Sequence, residues 1–220
     1  MRQMIHTLAA AAVVLVAASG SASAVSITFG GQAAAGGGLT TSVAGATVYD
    51  FNSGLPGGYV GAGAVLSGSL AGYYATPAGD TTRYLSVAYP LAAGLEVATP
   101  GGSYNYFGLY WGSMDSYNTL SFYKGGLLGT KVASYTGSQV IAAGVGLGDQ
   151  TSPGSNRYVN FFFGSQSYDT VVFNTTQYAF ETDNHAYARV PEPATLGLLG
   201  LGLAGAGFAR RRRQAAAQRA

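Results

Sequence analysis

Asn118-Thr119-Leu120-Ser121-Phe122-Tyr123-Lys124-Gly125-Gly126-Leu127 is the stretch that decides the fold. Polar and apolar residues alternate through Asn118–Phe122, and a period of two puts Leu120 and Phe122 on one face of a strand. Gly125-Gly126 then supplies two residues that accept positive φ, which a tight hairpin turn needs. The pattern predicts a half-buried strand folding back on its neighbour. The rest of the middle of the chain has the same punctuation. Short runs over Thr47–Phe51, Leu70–Ala75, Tyr84–Tyr89, Tyr104–Trp111, Lys131–Tyr135, Val140–Val145, Tyr158–Phe163, Thr170–Asn174 and Ala186–Val190 are separated by Gly, Pro, Asn and Asp. Each reads as a strand, and Val159, Phe161 and Phe163 form a second clear apolar face. No run in this region has a helical period. The expectation is an all-β domain over residues 46–188, an antiparallel, jelly-roll-like β-sandwich, with a barrel as the alternative architecture. The predicted strands average about six residues, short of the ~9–11 that cross an outer membrane.

Composition narrows the chemistry. The 220 residues include 34 Gly, 16 Tyr and 10 Phe but no Cys, and only 9% are charged. The absence of Cys removes disulfides, thiolate metal sites and cysteine nucleophiles. Aromatic content this high with so few charges is not the composition of a solvated, disordered chain. Between Val25 and Val190 there are five basic and eight acidic residues, a net of minus three. The overall +2 therefore belongs to the ends. The middle has no basic stripe to neutralise nucleic-acid phosphates, so no nucleic-acid partner is expected.

The ends read as addresses. Arg2, an apolar run from Leu8 to Ala18, and Ala22-Ser23-Ala24 make a secretory signal peptide over residues 1–24, recognised by signal peptidase and cut after Ala24. His6 leaves with it, and His185 is then the single histidine. Residues 25–45, rich in Gly, Ala, Thr and Ser, read as a flexible entry segment. After the β domain come Val190-Pro191-Glu192-Pro193, a 16-residue uncharged apolar run over Ala194–Ala209, and Arg210-Arg211-Arg212-Arg213. The run reads as a short transmembrane helix of about 24 Å. The four arginines anchor its end in the cytoplasm and leave the β domain on the far side. Gly200-Leu201-Gly202-Leu203-Ala204-Gly205 fits a dinucleotide fingerprint by letter, but it follows Pro193 rather than a strand and so carries no such meaning.

The Pro-Glu-Pro, the Gly/Leu-rich run and the arginine cluster together resemble the PEP-CTERM sorting tail of bacterial exosortase substrates, over residues 189–213. Gln214–Ala220 extends past the usual end of such a tail. The resemblance implies a Gram-negative-type bacterium and an exosortase partner that cuts near Pro191-Glu192-Pro193. It implies transient anchoring in the inner membrane and final delivery to the cell surface or extracellular matrix. Asp50-Phe51-Asn52 and Tyr106–Asn118 further resemble a family of exosortase-dependent surface proteins over about residues 45–190. That resemblance brings no catalytic residues.

A search of the β domain for chemistry returns little. A Ser-His-Asp set would have to use His185, which reads as a half-exposed residue at a strand edge, and no G-x-S-x-G elbow occurs. Glu181 and Asp183 would share one strand face and read as exposed solubilising charges. No catalytic residue is assigned and the expectation is a non-enzyme. Zinc is excluded by the ligand inventory. Calcium stays open through loop carboxylates, with Gly144–Asp149 a faint Gly/Asp pattern best read as a turn. The best binding candidate is an extracellular polysaccharide on a carbohydrate-binding module or adhesin. It would use Trp111 as an aromatic platform beside Asp115 and Asn118, with Trp111 as a core residue the competing reading. Ice binding is the weaker alternative, because the threonines show no regular repeat.

Overall fold

The computed structural model describes residues 24–88, 90–91, 93–141 and 146–191. The expected signal peptide (apart from Ala24), the apolar run and the arginine cluster lie outside the described residues, as does the rest of the Pro-Glu-Pro motif beyond Pro191. Among the described residues, no helix is long and apolar enough to cross a membrane.

Among the described residues the fold is all-β, with one single-turn helix. The strands are β1 (Ser26–Phe29), β2 (Gln32–Ala33), β3 (Leu39–Thr40), β4 (Thr47–Tyr49), β5 (Tyr59–Gly61), β6 (Gly63–Leu66), β7 (Tyr84–Val87), β8 (Gly94–Ala98), β9 (Tyr106–Trp111), β10 (Asn118–Lys124) and β11 (Thr130–Thr136), then, after α1 (Gly137–Val140), β12 (Arg157–Phe162), β13 (Thr170–Thr175) and β14 (Phe180–Ala188). The larger sheet runs β1-β12-β9-β14-β7-β6, with β4 also paired to β14, and the second runs β11-β10-β13-β8-β5. All pairings are antiparallel.

The expected alternation sets the core. Leu120 and Phe122 are fully buried and sit opposite Phe173 and Val171 of β13. Phe107, Leu109 and Trp111 point from β9 into the same core, where the Phe107 ring meets Phe122 at 5.5 Å and Phe173 at 6.1 Å. Two sheets thus share one aromatic interior. The β10–β11 hairpin forms where Gly125-Gly126 announced it. Both glycines have positive φ, and their N–H groups donate to the Asp169 carboxylate at 2.7 and 3.0 Å.

The alternate residues of β9, Tyr106 and Tyr110, face outward, yet they are buried too. They form a second, smaller core with Tyr158, Ala186 and Ala188, covered by Leu39, Val43 and Ala46. Gly108 lies between the two tyrosines because there is no room for a side chain. A Cβ there would stand 2.6 Å from the Tyr158 hydroxyl.

This covering layer corrects the expectation for residues 25–45. The segment is not a flexible lead-in. Ser26–Phe29 pairs in register with β12, and β2–β3 forms a hairpin laid over the larger sheet. The Tyr106 hydroxyl bonds Thr41 Oγ1 at 2.6 Å and donates to Asn160 Oδ1 at 2.7 Å, fixing the layer in place. Three other expectations change. Leu70–Ala75 forms turns closed by a Leu70–Tyr74 bridge rather than a strand. Val140 ends the single-turn helix, and residues 142–145 are outside the described residues. The last strand starts six residues earlier than its predicted Ala186. β5, β6 and β8 were not legible because they contain Gly61, Gly63 and Gly94, which normally weaken a strand. Here small size is required: a Cβ on Gly63 would lie 2.8 Å from a Leu85 methyl.

Candidate functional site

β14 is the spine of the larger sheet, and all nine of its residues are buried. Strict alternation puts Phe180 and Thr182 in the core and turns Glu181 and Asp183 outward. A register shift against β9 between Asp183 and Ala186, with Asn184 at φ 50°, then resets the phase so that His185 and Tyr187 face the core.

His185 is therefore not a half-exposed edge residue. It is fully buried and stacked on Phe173 at 4.7 Å and 8°. Its Nδ1 bonds the Tyr59 hydroxyl and its Nε2 bonds Thr182 Oγ1, each at 2.8 Å. Burial pushes its pKa down to about 3, so the ring is neutral. With both nitrogens engaged and no solvent access, it offers no base to a substrate.

Trp111 is corrected likewise. It is fully buried and stacks on Phe180 at 4.7 Å, so no sugar can reach its face. Asn118 is also a core residue: its Oδ1 accepts from Thr175 Oγ1 at 2.7 Å and its Nδ2 donates to the Ala179 carbonyl at 3.1 Å. Of the three expected glycan contacts, Asp115 lines a cavity.

That cavity is a cleft of about 200 Å³, lined by Tyr73, Tyr117, Tyr178, Ser113, Asp115 and Glu181 among others. Glu181 is buried beneath it, contrary to the reading of an exposed charge. The Ala75 N–H donates to Oε1 at 2.8 Å. Burial is the main cause that raises the Glu181 pKa to about 7, and the charge of Asp115 adds to it. Burial also raises Asp115, opposed by a 2.6 Å hydrogen bond from the Tyr117 hydroxyl. The cleft thus joins several phenol rings to two carboxyl groups that hold protons more tightly than usual. One signal in the sequence pointed here: the period of two that paired Glu181 with Asp183. Tyr73 and Tyr178 had no such signal, because turn residues far apart in sequence bring them together at 5.1 Å.

Asp183, the other outward acid of β14, is also buried rather than exposed. It meets Asp80 from the turn before β7, and burial together with that neighbour raises its pKa to about 9.

At the far end of β14 the strand stops at Ala188, and Asn105 holds Val190 through its backbone. Pro191, the next residue, is exposed. The family model for the PEP-CTERM protein-sorting motif matches residues 189–213. The match supports a PEP-CTERM protein: the motif implies an exosortase as processing partner, and proteins that carry it are secreted and sorted to the cell surface or extracellular space. Comparison with curated proteins and with solved structures finds no match.

Proposed function

We propose that this chain is a non-enzymatic component of the cell surface or extracellular matrix, built on a jelly-roll-like sandwich. The signal peptide exports it, residues 194–209 hold it transiently in the inner membrane, and exosortase releases it near Pro191-Glu192-Pro193. The observation that carries this reading is the position of the sorting motif. It begins at Arg189, one residue after the last strand ends. Cutting there removes the tail without opening a strand pair. Two prolines keep the cut segment extended and unable to join a sheet. Arg210–Arg213 hold the uncut end on the cytoplasmic side. Mass spectrometry of the protein from producing cells should find Val25 at the N-terminus and no Arg210–Arg213. Replacing Pro191-Glu192-Pro193 with alanines should leave the chain in the inner membrane. An intact tail on the wild-type surface protein would refute the proposal.

The cleft supports a second reading, a carbohydrate-binding module or adhesin. Phenol rings can cover the apolar face of a sugar while Asp115 and Ser113 bond its hydroxyls. The contacts then fall to Tyr73, Tyr117, Tyr178 and Asp115, not to Trp111. The released protein would be tested on a polysaccharide array beside its Tyr73→Ala variant. Retention of a glycan by the wild type and its loss in the variant is the expected result.

A further inference from the structure

The β10–β11 hairpin turns through Lys124-Gly125-Gly126-Leu127-Leu128-Gly129-Thr130-Lys131, a stretch that holds the only two lysines of the chain. Leu127 is 46% exposed and Leu128 100%. The turn beneath them is held from several sides. Gly125 and Gly126 donate their N–H groups to the Asp169 carboxylate, and the Gly129 N–H donates to the Gly126 carbonyl at 3.0 Å. A Cβ on Gly129 would collide with the Lys124 carbonyl oxygen. The backbone is thus fixed while both leucine side chains stand in water. Apolar side chains on a fixed protrusion, rimmed by cations, are the composition of a contact with a membrane interface.

The position of the tip gives the second argument. Tyr104 and Tyr168 form a bridge that joins the start of β9 to the start of β13. Asp169, the residue after Tyr168, holds the hairpin turn, and Asn105, the residue after Tyr104, holds Val190. The leucine tip and the exit of the sorting tail therefore share one end of the sandwich. β1 also starts there, with Ser26 opposite Phe162 at the end of β12. Exposed Arg189 joins Lys124 and Lys131, so three of the five basic residues between Val25 and Val190 collect at this end. Asp169, the acid beside them, is turned onto the two glycine N–H groups.

We propose that this end of the domain docks on the bilayer that holds the tail, with Leu127 and Leu128 entering the interface and Lys124, Lys131 and Arg189 facing lipid phosphates. The proposal rests on residues 194–209 being the membrane segment. From Val190 to Ala194 the chain can span at most about 14 Å, so the uncut body sits with its tip at the lipid surface. Tethering at that distance makes a weak contact effective. Once the tail is cut, two leucines and three cations fall short of a stable anchor, and the body leaves.

The test uses the full chain in phosphatidylcholine vesicles with and without phosphatidylglycerol. Because the chain has no Cys, Leu128→Cys carries a single environment-sensitive fluorophore. Ser116→Cys, exposed just before β10 and roughly 20 Å from the tip along that strand, is the reference. The expected result is blue-shifted emission, several-fold brighter at position 128 than at 116, and quenched by doxyl-labelled lipid. Lys124→Gln combined with Lys131→Gln should reduce the gain from phosphatidylglycerol at least about twofold, as should high salt. Chains that float with the vesicles while position 128 reads like position 116 overturn the tip and leave the tail reading intact. Chains that do not float overturn both. A blue shift without quenching by doxyl lipid assigns the tip to a second copy of the chain and overturns the lipid contact.

Discussion

The side-chain amide of Asn105 holds the backbone of Val190 in both directions. It donates to the Val190 carbonyl and accepts from the Val190 N–H, each at 2.7 Å. A side chain here takes the place of the next pair in a strand ladder. The same amide nitrogen reaches the Gly164 carbonyl at 2.9 Å, so the grip is tied to the turn after β12. Among the described residues, it is the last such hold before Pro191.

Asn105→Ala should cost about 1–3 kcal/mol, from lost bonds and from carbonyls left without a donor. Urea unfolding of the full chain measures this. Hydrogen exchange at the Val190 amide should accelerate while the amides of β9 stay protected. Cleavage of the tail should continue, because Pro191-Glu192-Pro193 follows the gripped residue in the chain.

Trp111 is the only tryptophan, so its fluorescence reports the core alone. Emission should be blue-shifted and resistant to iodide quenching. Adding polysaccharide should not shift it, even if the tyrosine cleft binds. Trp111→Ala should cost about 3–5 kcal/mol as a cavity in the shared interior.

His185 makes stability depend on pH on the acid side. Its folded pKa of about 3 lies below the unfolded value of about 6.5. Between those values the unfolded chain binds the extra proton, so stability falls as pH drops, by roughly 1.4 kcal/mol per unit from this group. The imidazole resonances of the folded protein should not titrate between about pH 8 and 5. The difference in urea midpoint between wild type and His185→Gln should shrink as the pH is lowered.

Glu181 acts in the opposite sense. Its folded pKa of about 7 lies above the ordinary glutamate value of 4.5. The stability it contributes is complete below 4.5 and lost as pH rises through 7. Glu181→Gln should remove that loss, leaving the variant's stability flatter than wild type between those values. Asp115→Asn should move the wild-type midpoint to lower pH, because it removes the charge that adds to burial.

The parts of this protein that depend on local order were legible from its residues alone. Alternation over Asn118–Phe122 and the following glycine pair give β10 and its hairpin without reference to any distant residue. The sorting tail is legible for the same reason: Pro-Glu-Pro, an apolar run and four arginines act in linear sequence on a membrane and a protease. Which side of each residue is covered was set by packing between distant segments. Glu181 and Asp183 were placed on one face by their spacing, but whether that face meets water depended on residues 30–46 and 72–80 folding over it. Trp111 and Asp115 are four residues apart, yet one points between the sheets and the other into a cleft. The phase of β14 turns on the irregularity at Asn184, which sends His185 inward. Burial in a β protein is set by contacts between strands far apart in the chain, and no local pattern records them.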